Sequence, residues 1–185
     1  GLPPGTGWTH VLQQRLAESG HPHRVVNASI SGDTTAGGRS RLPALLERHR
    51  PAIVVIELGG NDGLRGGSLA ATRENLRVMT AATKSAGAKP LLVGMKLPPN
   101  YGKDYTARFA ALYPELARKY QVSLMPFFLE GVAAREALNQ ADGIHPTEAG
   151  YQVIVEQLLK TLEPLLATPL STVEKLIVPA KAAIL

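Results

Sequence analysis

Ala52-Ile53-Val54-Val55-Ile56-Glu57-Leu58, followed at once by Gly59-Gly60-Asn61-Asp62-Gly63, decides the fold. A continuous β-branched run of this kind offers water no polar side, so it predicts a strand buried on both faces. Outward from it, the flanking segments alternate in kind. Leu42, Leu45 and Leu46 recur at helical spacing and mark a helix that stops before Pro51. Further upstream, residues 24–28 make a short strand, and Val11, Leu12 and Leu16 predict a helix over 8–19 that ends at Gly20. Downstream, Ser68 is placed to cap a helix reaching to about residue 86, with Gly87 just past its end. Residues 90–95 form another buried strand, 97–103 a Pro/Asn/Gly loop, 105–119 a helix and 122–125 a strand. A long loop leads to His145, and the last helix starts at Pro146, a favourable first-turn position, running to about residue 166.

Strands alternating with amphipathic helices mean parallel strands and crossover connections, hence an α/β chain folded as a three-layer α/β/α sandwich. Four strands are evident. In such sheets functional loops leave the carboxyl ends of the strands. No repeat or linker divides residues 1–166, which read as one domain. Residues 167–185 carry two Pro and no helical period, and read as a tail.

Composition narrows the class. With 44% apolar and 19% charged residues, the 185-residue chain is globular and long enough for one substantial core. No stretch is long enough to span a bilayer, and no secretory signal stands at Gly1. The absence of Cys excludes disulfides, thiolate metal sites and a Cys nucleophile. A net charge of +5 is spread over Arg24, Arg39, Arg41, Arg48, Arg65, Lys84, Lys96, Lys119 and the tail, and aromatics are 5%. A nucleic-acid surface needs clustered cations with interleaved aromatics, so no nucleic-acid partner is expected.

Three strings carry chemistry, each at or beyond a strand end. Asp142-Gly143-Ile144-His145-Pro146 sets a carboxylate three residues before an imidazole, the arrangement in which an acid fixes the tautomer of a general base. Gly59-Gly60-Asn61-Asp62-Gly63 and Asn27-Ala28-Ser29-Ile30-Ser31-Gly32-Asp33 offer amide donors for an oxyanion. Taken singly, each reads equally as a turn rich in Gly, Asn and Asp. Asp142, His145 and Asp62 could also ligate a metal in a phosphoesterase, with too few ligands to favour it. His21-Pro22-His23 reads as a surface turn, and the sequon Asn27-Ala28-Ser29 overlaps a strand and is accidental. Gly37-Gly38 lacks the ending of a phosphate loop.

The blocks over residues 27–35, 59–66 and 142–146 resemble those of the SGNH (GDSL-type) hydrolases. With residues 97–102 and Pro126-Phe127-Phe128 added, residues 1–166 resemble the bacterial periplasmic acyl-CoA thioesterase, lysophospholipase and arylesterase group. The resemblance implies a flavodoxin-like sheet of five parallel strands and hydrolysis of carboxylic esters and thioesters through an acyl-enzyme. It implies that Gly32 donates its backbone N–H and Asn61 its side-chain amide to the oxyanion. Asp142 then orients His145, the general base. It implies no cofactor, no metal, small acyl esters or thioesters as partners, no stable membrane insertion, a monomer, and a periplasmic or secreted location.

One departure stands out. Members open with a strand leading to Gly-Asp-Ser, whose Ser is the nucleophile, and no Gly-Asp-Ser occurs here. Of the eight serines, Ser31, directly before Gly32 in its motif, is the in-chain substitute. The alternative function is a catalytically dead fragment or acyl-binding module that keeps the pocket. A sheet without its first strand has a central slot with exposed ladder groups. Residues 182–185, apolar and similar to the start of that strand, are expected to lie parallel in the slot, with Leu185 near Gly1.

Overall fold

Among the described residues, five parallel strands, Arg24–Asn27, Lys175–Val178, Ile53–Ile56, Lys89–Val93 and Ser123–Met125 in that spatial order, form the middle layer of a computed structural model. The structure describes residues 7–142 and 145–167, and the backbone of residues 175–178. In chain order the elements are α1 (Trp8–Glu18), β1 (Arg24–Asn27), α2 (Thr35–His49), β2 (Ile53–Ile56), α3 (Gly60–Leu64) and α4 (Leu69–Ser85). They continue with β3 (Lys89–Val93), α5 (Lys103–Tyr120), β4 (Ser123–Met125), α6 (Glu148–Leu166) and β5 (Lys175–Val178). The steps from β1 through β4 move one way across the sheet, so right-handed crossovers put α2, α4 and α5 on one face. The return from β4 to β5 moves the other way, and α6 packs with α1 on the opposite face. This is the expected α/β/α sandwich.

Burial follows strand position. Every residue of β2 is buried, as its apolar run requires, whereas β1 and β4 at the sheet edges are half-buried. Leu12 and Leu16 of α1 and Ile154, Leu158 and Leu162 of α6 are buried where these two helices pack; Leu42, Leu76, Met79 and Phe109 are the buried residues of α2, α4 and α5. Side-chain caps set three helix starts: Thr34, Ser68 and Thr147 accept N–H groups from Gly37, Ala71 and Gly150. No helix among the described residues is long and apolar enough to cross a membrane.

Four details differ from expectation. The tail contains a strand: Lys175–Val178 lies between β1 and β2, in register Arg24↔Lys175 on one side and Ile53↔Leu176 on the other. That position was expected for 182–185, which, like Gly1 and Leu185, lies outside the described residues. Second, α6 begins after Pro146. The Thr147 hydroxyl caps it, and Pro146 instead bridges Asn139 in an extended pair. Third, Gly59 to Gly63 is more than a turn, because it opens the short helix α3. Fourth, His23 is buried, with His21 at its edge. Gln13 of α1 donates to the His23 carbonyl at 3.2 Å and accepts from Val25 N–H at 2.7 Å, drawing this segment beneath the helix.

Candidate active site

The turn after β1 presents the first candidate donor. Asp33 N–H bonds the Ile30 carbonyl at 3.2 Å, closing a β-turn with Gly32 in third place at φ +77°. That angle suits glycine. The N–H of Gly32 belongs to the middle peptide of the turn, which takes no part in the closing hydrogen bond and so is free to face a ligand. Asn27, at the end of β1, accepts the Ser29 N–H at 3.0 Å, an Asx turn that accounts for this asparagine structurally.

Asn61 is held beside that turn. Its Nδ2 donates one proton to the Asp33 carbonyl at 3.0 Å, and the amide retains a second N–H. The approach of α3 depends on Gly59, at φ +117°, where a Cβ would stand 2.0 Å from the Tyr113 hydroxyl. Tyr113 donates in turn to the Leu58 carbonyl at 2.7 Å; burial above all, then the charges of Asp62 and Glu57, pushes its phenol well up. The neighbouring Asp62 has both carboxylate oxygens engaged. It accepts the Thr35 N–H at 2.9 Å and the Thr35 hydroxyl at 2.6 Å, while Asn75 donates to that hydroxyl at 3.1 Å. Asp62 thus ties α3 to the start of α2, a structural task that competes with metal ligation.

Asp142 and His145 form the second pair. One carboxylate oxygen lies 2.6 Å from Nδ1 of His145, and the other accepts the His145 backbone N–H at 3.0 Å. A carboxylate at Nδ1 favours the tautomer with its proton there, leaving Nε2 as the base. The loop is pinned at its root: Gln140 N–H bonds the His145 carbonyl at 2.7 Å, and Thr147 N–H the Leu138 carbonyl at 2.9 Å. Buried Asn139 donates from its amide to the carbonyls of Val132 and Arg135, each at 2.8 Å. Both side chains of the pair remain about half exposed.

All four residues belong to the carboxyl edge of the sheet. Gly32 follows β1, Asn61 follows β2, and His145 immediately precedes α6, which must start at that edge to return the chain to the foot of β5. Within the edge, hydrogen bonds join Asn61 to the Gly32 turn, and Asp142 to His145. Ser31 sits beside Gly32, exposed, and among the described residues its hydroxyl has no hydrogen-bond partner. Several supporting residues carried no role in the sequence reading: Asp33, Arg41, Thr35, Asn75, Tyr101 and Tyr105. The two tyrosines donate to the carbonyls of Leu64 and Gly67, at 2.9 and 2.7 Å, and hold the loop behind α3. For Asp33 the signal in the sequence is a carboxylate directly before a Thr N-cap.

The Asp142–His145 pair and the Asn61–Asp33 contact thus both stand at the carboxyl edge of a parallel α/β/α sheet, the edge where sheets of this kind carry their sites. Residues 1–153 match the model of the GDSL-like Lipase/Acylhydrolase family. The chain is 52% identical over 166 residues to "Esterase TesA" of Pseudomonas aeruginosa, covering 90% of this chain and 83% of that protein. It is 49% identical over 141 residues to "Thioesterase 1/protease 1/lysophospholipase L1" of Escherichia coli K12, covering 76% and 68%. A crystal structure of TesA superposes with a TM-score of 0.85 at 52% identity, covering 89% of this chain and 92% of that one. The chain belongs to the GDSL-like lipase/acylhydrolase family, a family of ester-hydrolysing enzymes.

Proposed function

We propose that this chain carries the acid, the base and two oxyanion donors of a serine hydrolase acting on carboxylic esters and thioesters. The observation that carries the reading is the two-point grip of Asp142 on His145, through Nδ1 and the backbone N–H. In the reaction a Ser hydroxyl attacks the acyl carbonyl as His145 Nε2 takes its proton. Gly32 N–H and the second Asn61 N–H meet the oxyanion. His145 returns the proton to the leaving oxygen or sulfur, and a water deprotonated by His145 then releases the acyl-enzyme. Each oxyanion donor contributes about 2.7–4 kcal/mol in a pre-organised site.

The nucleophile is the open role. None of the eight serines stands in a Gly-Asp-Ser block, so no nucleophile is assigned, with Ser31 as the in-chain substitute. Residues 1–166 are the hydrolase domain, and the tail strand takes the slot of the family's first strand. Small acyl esters or thioesters are the partners of a monomer in the periplasm or outside the cell, a location supported by the resemblance.

Turnover of p-nitrophenyl acetate by the 185-residue chain, with His145→Ala as control, tests this. Removing one triad member leaves only about 10³–10⁴-fold catalysis over water. Weak turnover insensitive to His145→Ala is the expected result. Robust turnover that needs His145 assigns the nucleophile to a Ser of this chain, first Ser31. Fatty-acid binding without turnover, unaffected by Asn61→Ala, assigns the pocket to binding alone.

A further inference from the structure

The turn that carries Gly32 is held by two arginines from different elements. From α2, Arg41 reaches Asp33 Oδ2 with Nε at 3.2 Å and Nη2 at 2.8 Å, and its Nη1 donates to the Ala28 carbonyl at 2.9 Å. Ala28 is the first residue beyond β1 and Asp33 the last before the Thr34 cap, so one guanidinium grips both ends of the connection. From the loop after α3, Arg65 Nη2 donates to the Gly32 carbonyl at 3.2 Å. The other carboxylate oxygen of Asp33 accepts the Thr34 N–H at 2.9 Å, and the Asp33 carbonyl holds Asn61.

Asp33 is therefore a node. Its carboxylate is set by Arg41, its N–H closes the Gly32 turn, and its carbonyl orients the Asn61 amide. An ordinary surface ion pair contributes little, since water screens it and two long side chains must be ordered. This one differs in geometry: the planar guanidinium spends three donors on two anchor points, and both partners are largely shielded, with 26% and 13% of their side-chain surface exposed.

We propose that Arg41 is a positioning residue of the oxyanion site. Through Asp33 and Ala28 it fixes both the Gly32 N–H and the Asn61 amide. The proposal rests on the reading of Gly32 and Asn61 as oxyanion donors. Lysine at this position keeps the charge and loses the fork, so Arg41→Lys separates positioning from charge.

The test is ¹⁵N relaxation on the intact 185-residue chain, comparing wild type, Arg41→Lys, Asp33→Asn and the remote control Arg77→Gln, which breaks an exposed Arg–Glu pair on α4. In wild type and Arg77→Gln the order parameters of the Gly32 amide and the Asn61 side-chain amide should sit near the rigid value of about 0.85. In Arg41→Lys and Asp33→Asn they should fall below about 0.6 while β2 and β3 stay rigid. Unchanged values in Arg41→Lys overturn the proposal, as does an equal fall in Arg77→Gln. Arg41→Lys remains informative where a larger truncation would unfold the chain. This readout needs no turnover, so the two readings fail separately. If Arg41→Lys loosens both amides while Asn61→Ala leaves ester turnover unchanged, the clamp stands and the oxyanion assignment falls.

Discussion

At the residue scale, the side chains that matter most around the site are the ones that hold its members in place. Asp62 illustrates this. Thr35 is fully buried, and its N–H and hydroxyl both depend on the Asp62 carboxylate. Asp62→Ala leaves those groups unsatisfied and should cost about 2 kcal/mol in urea unfolding, whereas Asp62→Asn, which keeps one acceptor, should cost less. Tyr151 gives a pH signature. Burial first, and the Glu57 charge second, pushes its phenol up to about 12. Folding favours the neutral phenol, so its contribution is complete below the ordinary value of about 10 and is lost as pH rises through 12. Between pH 9 and 12 wild type should lose about 2 kcal/mol more than Tyr151→Phe, read from urea midpoints at each pH.

At the element scale, helix starts are decided by single hydroxyls. Ser68 was legible from sequence because it precedes a long amphipathic period with Gly87 behind it. Thr147 is not legible in the same way, since Pro146 and Thr147 both fit a helix start and only the tertiary pairing of Pro146 with Asn139 separates them. Ser68→Ala and Thr147→Ala should each cost about 1 kcal/mol in thermal or urea unfolding. The two differ in reach. Thr147 stands at the loop root, two residues beyond His145, so loosening the helix start by losing its hydroxyl cap should shift the His145 ring resonances in NMR, and Ser68→Ala, remote from that loop, should not. His23 makes the same point from the other side: a Pro between two histidines looks like surface, yet Gln13 draws that backbone under α1.

At the scale of the whole molecule, β5 is the joint. Among the described residues β1 pairs with no strand except β5, and β5 alone links it to β2. The turn carrying Gly32 leaves from β1, while Asn61 leaves from β2. Ending the chain at residue 167 removes that joint and exposes ladder groups on both neighbours. The shortened chain should lose about 2 kcal/mol or more by the cost of unpaired backbone groups, on the order of 1 M of urea midpoint, and should show new higher-order species on size exclusion. A truncated chain equal to the parent in both measurements would mean that the tail strand carries no structural weight.

The sequence by itself determined the sandwich, because a run such as Ile53-Val54-Val55-Ile56 cannot face water on either side, and alternating helices then have only crossover positions to take. It also determined the Asp142–His145 contact, since three residues of separation in a tight loop leave the carboxylate beside the ring. Tertiary structure alone decided the rest. Which tail segment pairs between β1 and β2, which basic residue grips Asp33, and which carboxylate is consumed by Thr35 are contacts between elements far apart in the chain. Local propensity and periodicity carry no information about such contacts. Arg41 reads as one of many surface cations until α2 is laid against the turn after β1, and Asp62 reads as a free ligand until the start of α2 arrives to use it.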